Sequence, residues 1–132
     1  MKGCRGSATV EMVVIAPLLV ALFAFVLGCG RWVQAGMTVR NAADQAARSA
    51  SLVSAGRMRD VGLAQARQHL SSRTAGCAWA SAEISVHHVG RTSFVRAVAR
   101  CTVDFRGLMG VFGLPRSVTA TSTEVIDVFT FR

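Results

Sequence analysis

Nineteen consecutive residues, Met12 to Gly30, carry no charged or amide side chain. At about 1.5 Å per residue they make roughly 28 Å of helix, close to the roughly 30 Å hydrocarbon core of a bilayer. A soluble protein rarely keeps a helix apolar on every face for about five turns, because one face must meet water. The run therefore reads as a single membrane span. Pro17 removes the bond its N–H would donate to the Val13 carbonyl, which a membrane helix tolerates with a kink. Lys2 and Arg5 precede the run and favour a cytoplasmic N-terminus. Arg31 and Trp32 follow at once, as interface anchors do.

Other readings of the same run are open. A cleavable secretory signal has an apolar stretch of only about 7–15 residues, and Glu11 sits where such a signal is apolar. Val26-Leu27-Gly28-Cys29 is a loose lipobox, which would make Cys29 the acylated first residue of an envelope lipoprotein. Leu27, where a small residue usually stands, counts against it. An uncleaved, membrane-anchored binding domain is a further alternative. The net charge of +8, with seven acidic residues, leaves anionic lipid, acidic wall polymers or nucleic acid as partners of a basic chain. The arginines are scattered singly, Tyr is absent and no helix face is basic, so nucleic acid is not an expected partner.

Glu11 stands at the head of the span. An ionised carboxylate costs about 2.5–3.5 kcal/mol at the centre of a membrane helix and less near its end. The positive end of the helix dipole eases that cost, and Glu11 can simply mark the helix boundary. A cation close by in the apolar layer would ease it further. Cutting after Gly6 supplies one, because Ser7 then carries a free α-amino group and Glu11 becomes the fifth residue. Gly6, lacking a side chain, gives a peptidase close access to the backbone.

Arg5-Gly6-Ser7-Ala8-Thr9-Val10-Glu11, followed by Ala16-Pro17-Leu18-Leu19, resembles the start of TadE-like proteins, the pseudopilins or minor pilins of the tight-adherence (Flp-type) pilus system. Asn41-Ala42-Ala43-Asp44-Gln45-Ala46-Ala47-Arg48 is similar to a further stretch of that family, so the resemblance covers about Arg5 to Ala50. It implies cleavage between Gly6 and Ser7 by a prepilin peptidase at the cytoplasmic face. It also implies a role for Glu11 in processing or assembly, with other pilin-like subunits and the pilus assembly platform as partners. Met12 stands where Flp-type pilins usually carry an aromatic residue, Gln45 where the family has an acid and Ala46 where it has Gly. These departures point to a divergent member. The location implied is the cell membrane, single-pass with the C-terminal domain extracytoplasmic, or the pilus itself.

Past the span, Trp32, Ala35, Val39, Ala43, Ala46, Ala50 and Val53 step by three or four, predicting that the helix continues to about Val53. Gln34, Thr38, Asn41, Gln45 and Arg48 form a polar face. The alanine-rich stripe allows close packing, on the chain's own domain for its distal half and on neighbouring subunits for its proximal half. A second helix is expected over roughly Arg57 to Ser72, with Leu63, Ala66 and Leu70 as its apolar face. Strands are expected over Ala82 to Val89, Phe94 to Phe105 and Ser117 to Phe129. His88-Val89-Gly90-Arg91-Thr92 would form a hairpin loop. In the second strand Val95, Ala97, Ala99, Cys101, Val103 and Phe105 face one way. In the third the alternation slips near Glu124, as a bulge or a polar edge would make it. Gly107 to Pro115 is an apolar loop, either folded over the sheet edge or exposed as a contact patch.

The expected class is thus α+β: a long N-terminal transmembrane helix extending into a small external domain with a second helix and a three-stranded antiparallel sheet. Residues 1–6 form a cytoplasmic leader, 7–53 the transmembrane and extended helix, and 54–132 the external domain. Cys77 and Cys101 fall in the part expected outside, where disulfides persist. Bridging them would close a loop of roughly 25 residues and stabilise by about 3 kcal/mol on the chain-entropy model. Cys4 would leave with the leader, and Cys29 lies in the span. No CxxC occurs, and His87 and His88 of one strand would point to opposite faces, so no metal site is expected. His69 reads as a surface residue. No phosphate loop, activated nucleophile or paired carboxylates are recognisable, so neither an enzyme nor a cofactor is expected.

Overall fold

The computed structural model describes residues 7–71, 77–103 and 115–126, with side chains described from Val10 onward. In order these form α1 (Ser7–Ser51), a 3₁₀ turn (Ala55–Arg57), α2 (Met58–Leu70), β1 (Cys77–Val89), β2 (Thr92–Val103) and β3 (Arg116–Ile126). The architecture is α+β: a long N-terminal apolar helix, a second helix and a three-stranded antiparallel sheet ordered β1-β2-β3. Both helices cover the same sheet face, α1 over β2 and β3 and α2 over β1.

The 45 residues of α1, with Pro17 inside, make a rod of about 68 Å. Its two parts meet different surroundings. Between Val10 and Val33 the large apolar side chains are exposed, Phe23 and Phe25 among them. Between Ala35 and Ala50 the helix becomes a core element: Ala35, Val39, Ala42, Ala43, Ala46, Ala47 and Ala50 are all fully buried. Gln34, Asn41, Gln45 and Arg48 keep the opposite face in solvent. The methyl side chains let α1 settle closely on β2, with Ala97 in the core cluster around Ala46 to Ala50 and Ala99 in the one around Ala35 to Ala43.

This placement corrects the expectation that the proximal half of the stripe meets neighbouring subunits. Ala35 and Val39 pack on the chain's own Ala99, Cys101 and Val103. The cause lies in β2 and β3, whose paired ends at Val103 and Arg116 carry Cys101, Val103, Val118 and Ala120 alongside the proximal half of the stripe. β1 also begins earlier than expected, at Cys77 and not at Ala82, on the sheet edge that α2 covers.

β2, the central strand, buries Val95, Ala97, Ala99, Cys101 and Val103 and turns Arg96 and Arg100 outward, the alternation expected of it. Gly90 and Arg91 connect β1 to β2, with Val89 paired to Thr92. Gly90 has φ +61°, which the first central position of a type II′ turn requires and which glycine adopts without a Cβ clash. The β2–β3 ladder runs unbroken from Ser93↔Ile126 to Val103↔Arg116, so there is no bulge at Glu124. Glu124 pairs with Val95 on the helix-facing side but is exposed, because β3 is an edge strand. Phe105, the loop residues 107–114 and residues 127–129 lie outside the described residues.

α2 buries Met58, Gly62, Ala66 and Leu70, a strict i+4 series, with Leu63 half-buried beside it. Gly62 is where α1, α2 and β1 converge. A Cβ there would lie 3.1 Å from the Ile84 side chain and 3.2 Å from the Ala50 methyl. Gly62→Leu should therefore destabilise the protein by about 1–3 kcal/mol through overpacking. Thermal unfolding in detergent reads this, with Gly56→Leu, at a site open for 4 Å around, expected to leave the midpoint nearly unchanged.

Candidate functional site: the apolar helix and its junction with the domain

Glu11 lies in α1, exposed, with Val10, Met12 and Val13 exposed around it. It is thus a single acid on an otherwise apolar surface. It follows Ser7, the first described helical residue, by four positions. Positions i and i+4 share a helix face about 6 Å apart along the axis, so a cation on the Ser7 backbone nitrogen would be within the carboxylate's reach. Gly6, the other residue of the expected cleavage site, lies outside the described residues, as does the rest of the 1–6 leader. Cys29 is a free, exposed thiol on the same helix.

Cys77 and Cys101 form a disulfide, with their Cα atoms 5.5 Å apart. Local backbone makes this possible. Cys101 points into the core, and strict alternation along β1 would place Ala78, Ala80 and Ala82 on that face and Cys77 on the other. The ladder slips between Cys77 and Trp79, so that Ala80 pairs with Cys101 while Cys77 pairs with inward-facing Val103. This bulge reverses the alternation and brings Cys77 against the core. It also leaves Trp79 on the opposite, open sheet face, 80% exposed.

The histidines serve the sheet. His87 stacks on Phe94 across the ladder on the open face, with ring centroids 5.6 Å apart, and its Nε2 is 3.1 Å from Ser85 Oγ. His88 lies on the opposite face, its Nδ1 2.7 Å from Ser93 Oγ. His69 is half-buried on α2. A groove runs between α1 and the free edge of β3, lined by Val33, Gly36, Met37 and Arg40 on one side and Val118 to Thr121 on the other.

A helix that is apolar and exposed for half its length, long enough to cross a membrane, and core for the rest, bearing one acid near its start, points to a class: single-pass membrane-anchored α+β proteins built on one shared helix. Within that class, residues 6–48 match the family model described as TadE-like protein, the family that Arg5 to Ala50 resembles. The match takes in Gly6, Ser7, Glu11, the whole apolar run and most of the alanine stripe, and ends before α2 and the sheet. No curated protein and no solved structure matches the chain.

Sequence reasoning did not find Met58 and Gly62, although their i+4 spacing with Ala66 and Leu70 was a usable signal. It also did not find the groove beside β3 or the exposure of Trp79. Both depend on register between elements, which no local pattern encodes. The disulfide joins residues 24 apart in sequence. Replacing both cysteines by serine should lower stability by about 3 kcal/mol by the loop-entropy relation. Denaturant unfolding of the oxidised protein and the double variant measures it, with Cys29→Ser expected to match the parent.

Proposed function

We propose that the chain is a minor pilin or pseudopilin of TadE-like type, a non-catalytic structural or assembly component of a tight-adherence (Flp-type) pilus or a related secretion machine. The observation that carries this reading is the family match over residues 6–48, which joins Gly6 and Glu11 to the apolar helix. In this account the precursor is inserted with its N-terminus in the cytoplasm and the sheet domain outside. A prepilin peptidase cuts after Gly6. The new Ser7 amine then offsets the Glu11 carboxylate in the apolar layer, where a lone charge is costly. Other pilin-like subunits and the assembly platform meet the exposed apolar half of α1 laterally. The disulfide supports the outside placement of the domain, because thiols stay reduced in most cytoplasms.

The lipoprotein reading requires a cut ahead of Cys29, which would sever α1 in mid-course and discard Glu11. The continuity of α1 through that position and the family match across it favour cleavage at Gly6 instead. Labelled palmitate incorporation abolished by Cys29→Ser would reverse that preference. The uncleaved binding domain supplies no α-amino group at Ser7 beside Glu11.

N-terminal sequencing of the protein from a host carrying the peptidase should begin at Ser7. A chain still beginning at Met1 there would refute processing, and Gly6→Val should make the precursor accumulate. Glu11→Ala should still insert and be cut. Its incorporation into the assembled machine should fall roughly tenfold, the effect of about 1.4 kcal/mol, measured by co-purification with the other subunits.

A further inference from the structure

We infer that the end of the sheet nearest the apolar helix stands on the bilayer, with Trp79 seated at the headgroup level as a second interfacial anchor beside Trp32. The inference rests on α1 crossing a membrane and adds where the domain sits relative to it.

Height follows from register. Ala35 and Val39 share a core with Cys101, Val103, Val118 and Ala120. Ala46, Ala47 and Ala50 share one with Val95, Ala97 and Ile126. β3 therefore rises alongside α1, with Val118 near the level of Ala35. Arg116, two residues earlier, lies about 7 Å lower at strand spacing. Four residues of helix, from Ala35 back to Arg31, descend about 6 Å. Arg116 is thus level with Arg31, and its ladder partner Val103 and that residue's partner Cys77 share this level. Trp79, Thr102 and Ser117 form the next row up.

The apolar run ends at Gly30. The headgroup zone above the hydrocarbon is roughly 5–8 Å deep on each side. Arg31, Arg116 and the Trp79 row fall inside it. No flexible linker can lift the domain away, because α1 is helical throughout and its stripe is buried from Ala35 onward.

The chemistry at this level suits a lipid surface. Trp79 presents a large amphipathic ring, 80% exposed, on the sheet face away from α1. Trp32 occupies the helix side, so the two indoles flank the lower end of the domain. Tryptophan favours this zone, where one end of the ring is apolar and the other wet. Arg31 and Arg116, both exposed, place guanidinium groups where lipid phosphates lie. Val33 and Met37, also exposed, extend the apolar surface just above the span. The opposite end of the sheet, at the Gly90–Arg91 turn, is furthest from the membrane.

The chain contains two tryptophans, which makes the test direct. Full-length Trp32→Phe, leaving only Trp79, and Trp79→Phe, leaving only Trp32, are reconstituted into vesicles containing anionic lipid. Quenching is compared between lipids labelled near the headgroup and lipids labelled deep in the acyl chain. The inference expects Trp79 to lose emission to the shallow label more than to the deep one, with Trp32 behaving likewise. Trp32 quenched and Trp79 untouched by either label would overturn the bilayer contact while leaving the span intact, and Trp79 would then be a surface for a protein partner or solvent. Both indoles untouched would overturn it together with the spanning reading on which it rests.

Discussion

The contact between the alanine stripe of α1 and the inner face of β2 and β3 is the constraint on which the rest of the structure depends. Each alanine buries little apolar surface, but its small side chain lets the helix backbone lie close on a sheet that is itself lined with Ala97 and Ala99. Close approach over Ala35 to Ala50 fixes the azimuth, height and tilt of the domain relative to the helix. The remaining elements are fitted around that contact. α2 fills the space over β1, and Gly62 is the point where the three surfaces meet without room for a side chain.

That contact lends the membrane segment its mechanical meaning. An anchor joined through a flexible linker would hold the domain near a surface without orienting it. Here the same helix is anchor and core, so a force or rotation applied to the apolar half is transmitted to the sheet. Under the proposed pilin-type role, a subunit passing from a bilayer into an assembly of packed helices benefits from such rigidity. The disulfide acts in the same sense: it ties the edge strand β1 to the central strand at the end nearest the apolar run, where a bulge interrupts the alternation of β1.

Much of this was legible from the residues, for identifiable reasons. The span is written in composition, because water penalises an apolar surface on every helix face. β2 is written in period-two alternation, because a central strand with one face buried and one face open must obey it. The lower part of β1 was not legible. Cys77-Ala78-Trp79-Ala80-Ser81 carries no clean alternation, and the bulge that reverses it is dictated by the partner strand. The face of α2 was only partly legible, since Gly62 is buried for its lack of a side chain and contributes nothing to an apolar stripe. The roles proposed for Gly6 and Glu11 come from the family pattern together with electrostatics: a carboxylate at the head of an apolar run is eased by the helix dipole or by a nearby cation, and the residues do not say which.

The central claim is that one uninterrupted helix connects the apolar segment to the core of the domain. Amide hydrogen exchange of the full-length protein in lipid bilayers tests it most directly, because the Gly30–Gly36 stretch is where a hinge would form if the two parts moved independently. The account predicts protection continuous through that stretch into Ala50, comparable to the flanking turns. Rapid exchange confined to Gly30–Gly36, between protected segments on either side, would contradict it.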